Sequence, residues 1–101
     1  MQMLFEVLAD PSRRRVLDLL RADDRTVSEL VDSLDMSQPA VSKHLRVLRD
    51  AGLVEARAEA QRRIYTLRAE PLAELDAWLV PYRKFWRGRL ASLRQHLDTT
   101  D

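Results

Sequence analysis

The first half of the chain consists of four segments in which apolar residues recur every three or four positions. This spacing predicts helices that each bury one face. The third segment begins with a Thr-x-x-Glu capping box at Thr26 and Glu29. The fourth is capped by Ser37 and ends before Gly52, which we expect in the left-handed conformation. We predict the four helices at about residues 1–9, 11–21, 26–34 and 37–51, with a polar loop at 22–25. The last two would form a helix-turn-helix over 26–51.

After Gly52 the apolar spacing changes to that of two short strands, which predicts a hairpin, or wing, over 53–67. From Pro71 an apolar stripe continues to about residue 97, which predicts one long helix with a kink or a break at Pro81. The predicted fold is mainly α with a small two-stranded β-hairpin. It is a winged helix-turn-helix with an additional helix at each end, in a single domain over 1–101.

The helix at 37–51 has two different faces. Val41, Leu45 and Leu48 form an apolar face, whereas the other face is polar and cationic. Amide, hydroxyl and cationic side chains can bond base edges and phosphates, and the free N–H groups of a helix N-terminus favour anions. The candidate DNA contacts are Ser37, Gln38, Ser42, Lys43, Arg46 and Arg49. We predict that this helix reads DNA; the alternative is a solvated polar face without a partner.

The predicted hairpin contributes Arg62 and Arg63 as candidate phosphate contacts. Arginine is favoured where such a hairpin meets the minor groove. The tip at 59–61 carries Glu59, which would repel phosphate, and lacks the glycine that tight hairpin turns commonly use. The sequence therefore does not favour deep insertion into the minor groove. The alternative is that both arginines only solvate a strand edge.

The long helix carries more apolar surface than a chain of 101 residues can easily cover. Four of the six aromatic residues lie in it within nine positions, and large aromatic residues are enriched at interfaces. We therefore predict a homodimer, with residues 1–8 also available to its interface; the alternative is ordinary packing against the winged helix. The predicted interface comprises Leu4, Leu72, Leu75, Trp78, Leu79, Tyr82, Phe85, Trp86, Leu90 and Leu93.

Charge is segregated along the chain, although the net charge is only +1. Residues 1–35 contain eight acids and five bases, whereas residues 36–97 contain six acids and twelve bases. A basic second part suits an anionic partner such as nucleic acid. For the basic cluster at 13–15 we expect ion pairs with Asp10 or Asp18 first, and phosphate contact second.

Several functions are disfavoured by what the sequence lacks. It has no cysteine, which excludes disulfides and thiolate metal sites, and only His44 and His96 could offer imidazole. We predict no metal and no cofactor, and expect His44 to pack on a helix seam or to bond phosphate. No glycine-rich phosphate loop or nucleophile elbow is present, so we predict that the chain is not an enzyme. No membrane-length apolar run or signal peptide is visible, and we expect a cytoplasmic location.

Three segments resemble the ArsR/SmtB family of bacterial winged-helix repressors: LADPSRRRVLDLL, then TVSELVDSLDMSQPAVSKHLRVLRDAGLV, then RRIYTL. They cover about residues 4–67, and the end of the chain is similar to the branch of that family without metal ligands. The resemblance implies a homodimer that binds operator DNA, usually as a repressor. It also implies that Ser37, Gln38, Pro39, Ser42 and Lys43 face the DNA groove. The alternative function is a helical protein-interaction module that uses the aromatic last helix.

Overall fold

The computed structural model describes residues 2–98, and the side chains in that range except those of residues 96 and 98. Met1 and residues 99–101, which the predicted domain includes, lie outside this description, as does the side chain of His96. The elements are α1 (Gln2–Ala9), α2 (Pro11–Ala22), β1 (Arg25–Thr26), α3 (Val27–Leu34), α4 (Gln38–Asp50), β2 (Val54–Glu59), β3 (Arg62–Leu67) and α5 (Leu72–Asp98). The predicted winged helix-turn-helix with a helix at each end is confirmed.

Helices α2 and α3 begin where a side chain accepts hydrogen bonds from the first turn. The Asp10 carboxylate accepts from the backbone N–H groups of Ser12 at 2.8 Å and Arg13 at 3.4 Å. In the predicted capping box, the Thr26 hydroxyl accepts from the Glu29 N–H at 3.2 Å, and the Glu29 carboxylate accepts from the Thr26 N–H at 3.1 Å. These bonds satisfy N–H groups that a helix leaves unpaired at its start, and so set the position of each helix.

The predicted two-stranded hairpin is present as β2 and β3, and a third strand extends it to an antiparallel sheet in the order β1–β3–β2. The additional strand is only two residues long, and pairs Arg25 with Tyr65 and Thr26 with Ile64 of β3. The prediction placed residues 22–25 in a loop. That assignment is wrong for Arg25, because a strand of two residues is too short to show the alternation by which strands are detected in a sequence.

The two long strands of the wing pair over six residues each and leave a two-residue turn at 60–61. Side chains of adjacent residues in a strand point to opposite faces of the sheet. Val54 and Tyr65 lie on the face that packs against the helices and are buried, with exposed fractions of 2% and 8%. The wing is therefore anchored at its base by apolar contact, and its outer end projects from the helices.

The core lies where α2, α3 and α4 meet the base of the wing. Its most deeply buried large side chains are Leu30, Leu45, Leu48, Leu53, Val16 and Val41. Helix α1 adds Leu4 and Val7 to this core. It is also tied to α2, because Arg13 Nε donates to the Val7 carbonyl at 2.7 Å and Arg14 Nη1 donates to the Leu8 carbonyl at 2.6 Å. These bonds satisfy carbonyl groups that the end of α1 leaves unpaired.

Helix α5 continues through Pro81, so no break occurs there. Proline removes the N–H that would bond the carbonyl of Ala77, but Ala77 is exposed, and water can replace that donor. Leu72 and Leu75 pack against the core. From Trp78 onward the apolar side chains of α5 are largely exposed, and the described structure extends over 60 × 31 × 21 Å.

The turn from α4 into the wing is a Schellman motif centred on Gly52. The Gly52 N–H donates to the Arg49 carbonyl at 2.9 Å, and the Leu53 N–H donates to the Leu48 carbonyl at 2.9 Å. Gly52 has φ +77°, the left-handed conformation predicted for this position. Leu48 and Leu53 are both fully buried, which adds the apolar contact typical of the motif.

The two glycines provide a matched test of this turn. Gly52→Ala should lower the free energy of unfolding by about 1 kcal/mol or more, because a Cβ strains the left-handed backbone. Gly88→Ala should raise it by about 0.5–1 kcal/mol, because Gly88 lies inside α5 with open space around it. Urea unfolding followed by circular dichroism measures both. Equal effects of the two substitutions would contradict the role given to Gly52.

The capping box should make stability depend on pH. Hydrogen bonds from the Thr26 backbone N–H, and then from its hydroxyl, hold the pKa of Glu29 below its ordinary value of 4.5. A carboxylate with a lowered pKa stabilises the fold above its ordinary pKa, and this contribution disappears as the pH falls through the lowered pKa. We expect the wild type to lose stability below pH 4.5 more steeply than Glu29→Gln, which keeps an acceptor oxygen. Parallel unfolding curves from pH 7 to pH 3 would contradict this.

Candidate nucleic-acid interface

Helix α4 presents one face to the core and the other to solvent. The Ser37 hydroxyl caps it by accepting from the Ala40 N–H at 3.3 Å, and Val41, Leu45 and Leu48 are buried as predicted. All the predicted DNA contacts on α4 and on the wing are exposed: Ser37, Gln38, Pro39, Ser42, Lys43, Arg46, Arg49, Arg62 and Arg63. Because the apolar face of α4 is buried, its hydroxyl, amide and cationic groups lie on the solvent-exposed face of that helix.

Two arginines in the wing or directly after it are bonded within the protein. Arg57 bonds Asp24 at 3.1 Å, and Arg68 bonds Glu55 at 2.7 Å. A hydrogen bond from Thr66, and then one from Arg57, hold the pKa of Asp24 below its ordinary value, so this carboxylate stays charged. The cations without an ion pair to any described residue include Lys43, Arg46, Arg49 and Arg63. The α4 surface therefore keeps its positive charge available to an anion.

Arg46, Arg49 and Arg63 line one open cleft of about 390 Å³ between α4 and the wing. Ser42, Arg46 and Arg49 stand at i, i+4 and i+7 in α4, the spacing of one helical stripe. Arg63, in β3, lines the opposite wall of the cleft. The cleft thus joins candidate contacts that are separated by fourteen or more positions in the sequence.

Arg62 and Arg63 are neighbours in β3 but belong to opposite faces of the sheet. Arg63 lies on the same side as the buried Tyr65, towards α4, and both line the cleft. Arg62 faces the other side. Hydrogen bonds from Thr26 lower the pKa of Glu29 most, and the charges of Arg25 and Arg62 lower it further. Arg62 therefore lies near the start of α3. The two arginines were predicted as equivalent phosphate contacts, and the fold separates them.

The tip of the wing is a two-residue turn in which Ala60 has φ +57°. Hairpin turns of this length usually place glycine where φ is positive. Glu59 lies 3.7 Å from Arg57, so the acid at the tip is partly balanced by a neighbouring cation.

Two arginines of the basic cluster at 13–15, Arg13 and Arg14, support the fold. Arg13 lies 3.8 Å from Asp10, which is one of the ion pairs predicted, and both Arg13 and Arg14 also bond carbonyls of α1. Burial raises the pKa of Asp10, but bonds from the backbone N–H groups of Ser12 and Arg13 outweigh it, so the pKa lies below its ordinary value. These arginines are therefore occupied by structural bonds.

His44 lies on α4 at the edge of the core and is half-buried. Its Nδ1 atom is buried without a hydrogen-bond partner. Within residues 2–98, leaving aside the undescribed side chains, no group of three or more His, Asp or Glu residues could hold a metal ion. No helix in that range is long and apolar enough to cross a membrane.

Two residues of the cleft were missed by the sequence analysis. Tyr65 lines it next to Arg63, and strand alternation places the two on one face, so that signal was present in the sequence. Asp50 lines it from the end of α4. Nothing in the helical pattern distinguishes Asp50 from an ordinary solvated acid.

The fold and this exposed surface define the class of winged helix-turn-helix DNA-binding regulators. The model of the bacterial regulatory proteins of the arsR family matches residues 10–56, which run from the cap of α2 into β2. The HTH-type transcriptional regulator Rv2034 of Mycobacterium tuberculosis is 38% identical over 95 residues, covering 94% of this chain and 86% of that protein. The chain belongs to the ArsR family of transcriptional regulators.

Two further comparisons agree with this family. The transcriptional repressor SdpR of Bacillus subtilis is 29% identical over 82 residues, covering 81% of this chain and 91% of that protein. A crystal structure described as a possible transcriptional regulator for arsenical resistance superposes with a TM-score of 0.68 at 39% identity, covering 96% of each chain. Family and fold together imply DNA binding and transcription regulation, and the family is one of regulators, not enzymes.

Proposed function

We propose that this protein is a homodimeric repressor that binds a pseudo-palindromic operator in the major groove and acts in the cytoplasm. The observation that carries the proposal is the exposed face of α4, whose cations have no ion pairs with described residues. Two copies of α4 enter successive major grooves on one side of the DNA, with half-sites about 34 Å apart. Occupation of promoter DNA then blocks transcription.

The residues of the surface divide into base-reading and phosphate-binding groups. Ser37, Gln38 and Pro39 lie at the start of α4, and Gln38 can bond adenine through both amide atoms. Ser42 and Lys43 follow one turn later on the same face. The remaining four cations act on the DNA backbone, which sets position without reading sequence: Arg46, Arg49, Arg62 and Arg63.

Dimerisation is supported by the exposed apolar side of α5. The exposed fractions are 45–63% for the six side chains Trp78, Tyr82, Phe85, Trp86, Leu90 and Leu93. Contiguous apolar patches of this kind mark interaction sites. A second copy of α5 would cover them. The predicted interface residues contribute unequally, since Leu4 is 6% exposed and belongs to the core, and Leu72, Leu75 and Leu79 are half-buried.

The base-reading role is tested by binding to DNA of different sequence. A gel shift on the DNA flanking its own gene should show a specific, salt-sensitive complex. Gln38→Ala should reduce the preference for this DNA over a random duplex, whereas Arg49→Ala should weaken binding to both alike. Equal losses on both duplexes after Gln38→Ala would remove Gln38 from base reading. Absence of any specific complex with the wild type would overturn the DNA-binding proposal.

The dimer is tested by placing a charge in the apolar stripe. Trp86→Asp should yield a monomer in light scattering, because the carboxylate would be buried against the second copy. Ala77→Asp is the matched control, since Ala77 is exposed and lies nine residues earlier, about two and a half turns, on the opposite side of α5. A dimer that persists in Trp86→Asp would place the interface elsewhere. A monomeric wild type would favour the alternative, a face that recruits another protein.

A further inference from the structure

The cleft between α4 and the wing holds three arginines with little to balance them. Arg46, Arg49 and Arg63 line it, and Asp50 is the one acid among its lining residues. Like charges held close together repel each other, and a bound anion relieves that repulsion. An open cleft with an excess of guanidinium groups suits a phosphate, for which arginine offers a planar set of donors. The hydroxyl of Ser42, at the edge of the cleft, is a further donor.

The location of the cleft indicates which phosphate it would receive. An α-helix with its side chains is about 10–12 Å across, and the major groove is about 12 Å wide. A helix in that groove therefore meets the DNA backbone along its flanks. Ser42, Arg46 and Arg49 form the flank of α4 that faces the wing. A DNA strand that borders the groove would pass between this flank and Arg63.

From this geometry we infer that Arg46 and Arg63 grip a single backbone phosphate of duplex DNA between the recognition helix and the wing. Arg46 belongs to α4 and Arg63 to the wing. The turn at Gly52 connects α4 to the wing, and Tyr65 packs β3 into the core, so the two elements are held in a fixed relation. Binding there sets the angle at which α4 enters the groove. Arg62, on the other face of β3, takes no part in this contact and would meet the DNA independently. The inference rests on the proposed function. Within the phosphate-binding group, it assigns Arg46 and Arg63 to one phosphate and Arg62 to a separate contact.

The test is a pair of double-mutant cycles on a random-sequence duplex, so that no operator is needed. Binding is measured by fluorescence anisotropy over a series of salt concentrations, and the slope of log affinity against log salt counts neutralised phosphates. Because the two guanidiniums hold the phosphate together, loss of either one releases it. Arg46→Ala alone, and Arg46→Ala with Arg63→Ala, should therefore each lower the slope by about 0.9 per protomer relative to wild type. The matched pair, Arg46→Ala with Arg62→Ala, should lower it by about 1.8. The affinity losses should be less than multiplicative for the first pair and multiplicative for the second.

Each outcome has a distinct meaning. Multiplicative losses for Arg46 with Arg63, while the wild type binds normally, would overturn the shared contact and leave the proposed function standing. No salt-dependent binding by the wild type would overturn the proposed function itself. A titration with inorganic phosphate alone, followed by NMR of the arginine Nε–H groups, separates the two sources of phosphate. Saturation at Arg63 by the free ion as readily as by the duplex would make the cleft a free-anion site and overturn the assignment to DNA.

Discussion

The burial of one face of α4 is the constraint on which the rest of the structure depends. Val41, Leu45 and Leu48 are at most 1% exposed, so the helix cannot rotate about its axis without bringing apolar groups into water. This fixes the opposite face, with its amide, hydroxyl and cationic groups, towards solvent. The same burial places Leu48 beneath the turn at Gly52, and so sets the direction in which the chain leaves α4 and begins the wing.

The distribution of ion pairs follows the same division between structure and surface. Carboxylates of the wing and its neighbourhood hold Arg57 and Arg68, and the end of α1 holds Arg13 and Arg14. These arginines serve the fold. The cations around the α4 cleft are exposed and have no such partners among the described residues, which leaves their charge for an outside anion. A net charge of +1 gives no sign of this separation, because it averages over both groups.

Much of the fold was readable from the sequence because its signals are local. The capping box at Thr26, the cap at Ser37 and the left-handed Gly52 each act within a few residues, and each appears where the sequence predicts it. The two-residue strand at Arg25 was not readable, because it is defined only by its partner in β3. Of the kink or break predicted at Pro81, the structure excludes the break, since tolerance of a proline depends on whether water can reach the freed carbonyl.

The candidate site was predictable residue by residue, but its arrangement was not. The helical period places Ser42, Arg46 and Arg49 in one stripe. The positive charges of Arg62 and Arg63 make both residues candidate phosphate contacts. Only the register of β3 shows that Arg63 faces the helix and Arg62 does not. Strand alternation alone places the two arginines on opposite faces, but which of these faces meets α4 depends on a contact between elements distant in sequence.

The most direct test of the account is a hydroxyl-radical footprint on DNA selected by this protein from a random pool. Two copies of α4 on one side of the duplex predict protected segments about 10 base pairs apart, displayed on one face and arranged about a dyad. Protection that is continuous around the duplex, or that has no dyad, would contradict reading by a symmetric pair of recognition helices.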